Sequence, residues 1–187
     1  IMPSYLSDYP GGATDRASKC IRAVDSFRRQ NNVRAELLVI SDGCKTTLDL
    51  CTKYGIQLFQ INKQQAFSGE VRNFGLKYAK GKIITYLDTD DYYEQGHLKS
   101  IVDNFKDNDW VYWDDYALTP DYMKVRRKTE VRFAKIGTSC IAHKKNSLKW
   151  GNGYGHDFKF IEQLTGKSEK IETAGYVVCH IPRLTNV

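Results

Sequence analysis

The sequence predicts an α/β fold, a mostly parallel central sheet with helices on both faces, and three observations lead there. Short apolar runs alternate with segments whose apolar residues recur every three or four positions, as far as residue 91. Several of these runs end in acidic or turn-forming residues, as strands do where they meet a ligand-bearing edge. A chain of 187 residues is long enough for one such core and too short for two domains of ordinary size, so residues 1–187 are expected to form a single domain. Strand and helix in alternation imply right-handed crossovers and parallel neighbours.

The first apolar run is 1–5, and its opening on Ile1, Met2 and Pro3 suggests that residues upstream have been lost. Between 14 and 30, Ala17, Cys20, Ile21, Val24 and Phe27 mark an amphipathic helix with Thr14 or Asp15 as N-cap. A buried strand at 36–40 follows, then a short helix near 46–53, a strand at 56–61, a helix at 68–79 and a strand at 82–87. Beyond Asp91 the pattern loosens: a helix at 97–105, strands at 110–114 and 138–142, and an extended polar segment at 124–133. A glycine-rich loop at 151–155, a helix at 156–164 and a strand at 176–178 complete the prediction.

The chemistry gathers after the strands. The run at 83–87 ends in Asp88-Thr89-Asp90-Asp91, and three carboxylates at one strand end repel one another unless a cation or strong donors compensate. Mg²⁺ or Mn²⁺ fits that need, since both take oxygen ligands and share them with substrate phosphates. A structural turn cluster is the alternative, because Asp is common in turns. Asp157, after the glycine loop, is either an N-cap or a general base. His180 follows the last strand, either as a metal ligand or as a packed surface residue.

Four blocks, "IMPSY", "VISDG", "VRNFGLKYAKGKIITYLDTDDYY" and "GYGHDFKFIEQL", in this order and spacing, resemble the family 2 glycosyltransferases with the GT-A (Rossmann-like) fold. The resemblance spans nearly the whole chain and implies inverting transfer of a sugar from a nucleotide diphosphate donor, UDP-linked, to a carbohydrate or other acceptor hydroxyl. It places Pro3, Ser4 and Tyr5 under the nucleotide base and Asp42 against uracil or its equivalent. It puts Arg72 near the donor, with Asn73 beside it, and makes Asp88, Thr89 and Asp90 the D-x-D segment, with Asp88, Asp90, Asp91 and a late histidine, His180, around the metal. Asp157 becomes the catalytic base. Two departures stand out: Ser41 replaces a common acidic residue, which leaves the base preference open, and His156 stands where glutamate usually precedes the base. Trp150, Tyr154 and His156 are the candidate acceptor-binding residues, with core packing the alternative for the two aromatics.

Composition narrows the field further. No apolar stretch approaches the ~20 residues of a membrane span, and no secretory leader is visible. Five cysteines without a C-x-x-C pair argue for reduced thiols and a cytoplasmic location, and no zinc or redox motif is present. A net charge of +6 suits an anionic partner, and the basic run at 124–128 reads as a solvated strand or loop. A sugar-phosphate nucleotidyltransferase is a rival, but Pro10-Gly11-Gly12 with Arg16 and Lys19 makes a poor triphosphate loop. A non-enzymatic nucleic-acid binder is a second rival, and it leaves the Asp cluster unexplained. The oligomeric state is not legible.

Overall fold

The computed structural model describes residues 1–9, 11–64, 67–173 and 175–182. In chain order the elements are β1 (Met2–Ser4), α1 (Arg16–Arg28), β2 (Val39–Asp42), α2 (Lys45–Lys53), β3 (Leu58–Ile61), α3 (Gly69–Tyr78), β4 (Ile83–Thr85), β5 (Tyr92–Tyr93) and α4 (His97–Phe105). They continue with β6 (Trp110–Tyr112), β7 (Asp115–Leu118), β8 (Lys124–Arg127), β9 (Ile141–Lys144), α5 (His156–Ile161), β10 (Ser168–Lys170) and β11 (Tyr176–Val178). A short 3₁₀ turn, Thr138–Cys140, enters β9 where the sequence suggested strand.

β1, β2 and β3 form a parallel sheet with β2 between the others. The Ile1 N-terminus donates to Thr85 O at 2.9 Å and Leu87 N–H donates to Ile1 O at 3.1 Å, so the end of β4 adjoins β1 on the other side. Beyond β4 come β9, β6 and β10, with β9 antiparallel to both of its neighbours and β10 parallel to β6. The sheet therefore runs mostly in one direction, with β9 reversed. A smaller mixed sheet, β5-β11-β7-β8, flanks it.

Side-chain alternation along the strands separates two cores, because successive residues point to opposite faces. Met2, Val39, Leu87 and Val111 meet Ala23 and Val24 of α1 and Leu98 and Ile101 of α4. Ile1, Ile40, Ile84 and Tyr86 meet Val71 and Leu76 of α3 and Phe160 and Ile161 of α5. Helices thus cover both faces, as the alternating pattern required.

The helix periodicity was legible in position but less so in phase. The buried stripe of α1 includes Arg16, Lys19 and Ser26, whereas Ala17 is exposed. Asp15 occupies the N-cap, but its side chain makes no capping bond. β2 lies two or three residues later than the apolar run suggested, which puts Ser41 and Asp42 inside the strand. The segment 124–128 is exposed throughout, the solvated strand its charge implied. The five cysteines are free and buried.

Candidate active site

The order β3-β2-β1-β4 reverses direction at β1, because the chain builds outward through β2 and β3 before β4 returns to the other side. In an open α/β sheet that reversal opens a crevice at the carboxyl ends of the strands. A cleft of about 840 Å³ lies there, lined by Pro3, Ser4, Tyr5, Asp42, Arg72, Asp88, Thr89, Asp90 and His180. Every residue proposed for the donor is therefore brought to one cleft. A second cleft of about 710 Å³ is lined by Asp88, Asp91, Asp115, Arg127, Ser139, Asp157 and His180 among others. Asp88 and His180 line both, so the two clefts meet at the end of β4.

On the first wall, Asp42 already has partners. Lys63 Nζ donates to Asp42 Oδ2 at 2.5 Å and Gln64 N–H donates to Oδ1 at 2.7 Å. A carboxylate has further lone pairs, so these bonds orient it without exhausting it. Lys63 Nζ also lies 4.6 Å from the centre of the Tyr5 ring. Ser4 turns its hydroxyl away, to Thr47 Oγ1 at 3.1 Å, and offers the cleft its backbone. Arg16, buried along α1, donates to Tyr5 O and forms part of the same wall. Pro10, part of the glycine loop weighed for a triphosphate, lies outside the described residues.

At the end of β4 the carboxylates divide their work. Tyr176 Oη donates to Asp91 Oδ2 at 2.8 Å and accepts from Asp88 N–H at 3.0 Å, while Cys179 N–H donates to Asp91 Oδ1 at 2.8 Å. These bonds pin the turn and explain how a buried carboxylate is tolerated there. Burial, then Asp90 and Asp88, still push the Asp91 carboxyl well above the usual carboxylate range. Burial raises Asp88 as well, against the pull of Arg72. His180 Nε2 lies 3.9 Å from Asp90 Oδ2 and 3.9 Å from Asp91 Oδ1.

One ligand atom each from Asp90, Asp91 and His180 falls within 4.8 Å of the others, a spacing that a six-coordinate divalent ion can span. The two carboxylates of the trio suit Mn²⁺ or Mg²⁺ chemically. Asp88 stands outside this trio and pairs with Arg72 instead, at 3.1 Å from Nη2.

The raised carboxyls carry a testable consequence. A carboxyl whose folded pKa lies above its unfolded value favours the fold at low pH, and that contribution is lost as pH rises through the folded value. A cation at the trio would take the place of the proton on Asp91. Mn²⁺ is therefore expected to raise the thermal midpoint more at pH 7.5 than at pH 5, where protons compete, and melting curves with and without chelator at both pH values check it.

Arg72 organises the floor where the clefts meet. It is buried on α3, with its guanidinium 5.1 Å from the Trp150 ring centre and 5.9 Å from that of Tyr86. Its Nη1 donates to Ser68 Oγ and lies 3.0 Å from His156 Nε2 and 4.0 Å from Asp157 Oδ1. Asp157 sits in the first turn of α5, whose N-cap is Gly155, so the capping role considered for Asp157 does not apply. Burial would raise the Asp157 carboxyl, but His156, Arg72 and the Thr138 backbone N–H together hold it below its ordinary value. It is therefore ionised at neutral pH, as a proton acceptor must be.

The acceptor assignment needs correction at Trp150. That residue is 1 % exposed, stacked on Phe160 at 4.0 Å between ring centres, and its Nε1–H donates to Tyr86 Oη at 3.1 Å. It packs the core beneath Arg72 and has no face to offer a sugar. His156 likewise points inward to Arg72 and Asp157. Tyr154 is exposed and meets Phe133 edge-on at 6.0 Å. Phe133 had no sequence signal, because a lone aromatic in a polar segment matches no periodicity. Asn73 exchanges two hydrogen bonds with the Trp150 backbone, at 3.0 and 2.8 Å, and so ties α3 to the glycine loop. Gly69 completes that seam, since a Cβ there would lie 2.1 Å from Gly151 O.

The mostly parallel sheet with its crevice at the β1/β4 reversal, and carboxylates around it, matches the GT-A fold of glycosyltransferase structures. The family model described as Glycosyl transferase family 2 matches residues 14–163, and the chain belongs to that family. Membership in that family favours neither the nucleotidyltransferase nor the nucleic-acid-binder alternative.

Among curated relatives, an uncharacterized glycosyltransferase of Rickettsia felis is 28% identical over 102 residues, which cover 51% of this chain and 17% of the relative. The poly(ribitol-phosphate) beta-N-acetylglucosaminyltransferase TarS of Staphylococcus aureus is 27% identical over 106 residues, covering 53% of this chain and 17% of TarS. This chain thus spans only a small part of these relatives. Among solved structures, S. aureus TarS 1–349 superposes with a TM-score of 0.76 at 16% identity, covering 96% of this chain and 59% of that one. The mannosyltransferase PcManGT of Pyrobaculum calidifontis, in complex with GDP-Man and Mn²⁺, gives 0.69 at 15% identity over 96% of this chain and 55% of its own. Among the described residues no helix is long and apolar enough to cross a membrane.

Proposed function

We propose that this domain transfers a sugar, with inversion, from a UDP-linked donor to an acceptor hydroxyl, with Asp157 as base and a divalent ion at Asp90, Asp91 and His180. The observation that carries this is the meeting of the two clefts at Asp88 and His180, with the donor residues in one and Asp157 in the other. Inverting displacement needs the base on the side opposite the leaving group, and the separation of Asp157 from the donor residues supports that reading. The S. aureus TarS structure in complex with UDP-GlcNAc, TM-score 0.74, supports a nucleotide-sugar donor for the fold.

Each group has a part in this scheme. Tyr5, Asp42 and Lys63 form the wall for the base and Arg72 a fixed cation beside Asp88. The ion, when bound, offsets charge developing on the diphosphate as a Lewis acid. Asp157 takes the acceptor proton as the hydroxyl oxygen attacks the anomeric carbon. Tyr154 and Phe133 offer aromatic faces for an acceptor sugar beside that cleft.

The test is nucleotide release from a panel of nucleotide sugars with Mn²⁺, with the anomeric configuration of the product read by NMR. Calorimetry of UDP is expected to show affinity at least about tenfold weaker in chelator than in Mn²⁺, ~1.4 kcal/mol. Equal affinity in both would remove the metal from the scheme, and a retained configuration would remove the inverting mechanism.

A further inference from the structure

The basic run at 124–128 divides in the fold. Lys124 pairs with Glu94, and Arg126 with Asp114 and Glu172. Arg127 and Lys128 instead line the cleft that holds Asp157, and Lys135 joins them from the connection between β8 and β9. Arg127 is a fixed cation there. Its Nε donates to Asp115 Oδ1 at 2.7 Å and its Nη2 donates to Oδ2, while Ser139 Oγ donates to the same Oδ2 at 2.6 Å. Asp115 is buried, and its lone pairs serve to orient a guanidinium that is itself 48% exposed. Asp115 occupies the edge formed by Nε and Nη2. The edge formed by Nη1 and Nη2 stays open, and a planar guanidinium can grip a second oxyanion on that edge.

The charges of this cleft do not cancel evenly. Its carboxylates already have counterparts: Asp88 pairs with Arg72, Asp157 lies between Arg72 and His156, and Glu130 accepts from Arg132 Nε at 2.6 Å. Asp91 is held by Tyr176 and Cys179. Lys128 and Lys135 are exposed and have no ion-pair partner among the described residues. What remains unmatched in the cleft is therefore cationic.

The segment that carries these cations also reaches the proposed base. Gly137 passes close enough to Asp157 that a Cβ there would lie 3.5 Å from Oδ2. Gly155, before α5, adjoins the Phe133 ring, which a Cβ would meet at 2.8 Å. An acceptor sugar seated on Phe133 and Tyr154 thus has two lysines and an open arginine edge in the adjoining cleft. A neutral acceptor would strip water from those cations and return no charge.

We infer that the acceptor carries an oxyanion, a phosphate or a carboxylate, beside the hydroxyl that is glycosylated, and that Arg127, Lys128 and Lys135 bind it. The inference rests on the reading of the Asp157 cleft as the acceptor site.

The experiment titrates the domain, saturated with UDP and Mg²⁺, with three probes that share one sugar ring: glucose, glucose 6-phosphate and glucuronate. At least one of the two anions is expected to bind about tenfold tighter than glucose, and the tighter of them tells phosphate from carboxylate. That advantage is expected to shrink as ionic strength rises from about 0.1 to 1 M. The double variant Lys128→Ala, Lys135→Ala is expected to cut the advantage to about threefold, since Arg127 remains. Its UDP affinity is expected to stay at the wild-type value, because neither lysine lines the donor cleft. Anions that bind wild type no tighter than glucose overturn the inference, and so does an advantage that the double variant keeps in full. The wild-type comparison needs neither a variant nor turnover, so the two readings fail separately. Equal binding of the three probes alongside active transfer removes the anion and leaves the glycosyltransferase. Anion-selective binding without nucleotide release from any donor removes sugar transfer, and with it the acceptor.

Discussion

Asp157→Asn is expected to lower sugar transfer by about 10²- to 10⁴-fold while UDP affinity and thermal midpoint stay close to wild type. Asparagine keeps the shape of the side chain and removes the basic lone pair. The donor cleft does not include Asp157, so the nucleotide should not sense the change. Nor should the helix lose its cap, because Gly155 holds that position. The neutral amide sits 4.0 Å from Arg72 and forfeits some charge attraction, but the carboxylate is about a third exposed, which limits that loss. Transfer, UDP calorimetry and a melting curve on one preparation check all three expectations. An active variant would remove Asp157 from the chemistry and turn attention to Glu162, immediately after α5.

Arg72→Met is expected to damage the fold and the chemistry together. The buried guanidinium is held by Ser68 and His156, faces Trp150, and compensates Asp88 at 3.1 Å. Removing one partner of a fully buried pair costs about 3–5 kcal/mol, and the part exposure of Asp88 and Asp157 discounts this to roughly 2–3 kcal/mol. Urea denaturation measures that loss. Arg72→Lys separates charge from geometry. Lysine keeps the cation but cannot lie flat on Trp150 or serve Ser68, His156 and Asp88 at once. Transfer is expected to fall at least about tenfold in Arg72→Lys with a smaller loss of stability than in Arg72→Met. Wild-type transfer in Arg72→Lys would show that position of charge alone matters.

The sequence by itself determined the order of elements through Asp91, the α4 and β11 boundaries, and the strand ends at which Tyr5, Asp42 and Asp88 would gather. It could do so because helix and strand periodicities are local, and because a run of three acidic groups within four residues is visible without a fold. The short strands β5, β7 and β10 were missed, since two to four residues are too few to show a period. Their pairing comes from neighbours: Tyr92 and Tyr93 are held by β11, and Asp115 to Leu118 by β8 and β11.

Only the tertiary structure decided the division of labour among the acidic residues. Asp88, Asp90 and Asp91 look equivalent in the chain, but Arg72, brought from α3, claims Asp88, and Tyr176 and Cys179, brought from the far end, anchor Asp91. Trp150 beside a glycine loop resembles an exposed platform in sequence, and burial against Phe160 and Tyr86 makes it the floor under Arg72. His156 was read as an acceptor contact because its partners lie 84 residues away on α3 as well as next door on α5. The physical reason is common to all three. Spacing along a chain reports which face of its own element a residue occupies, whereas charge pairing and burial depend on what the other elements bring to that face.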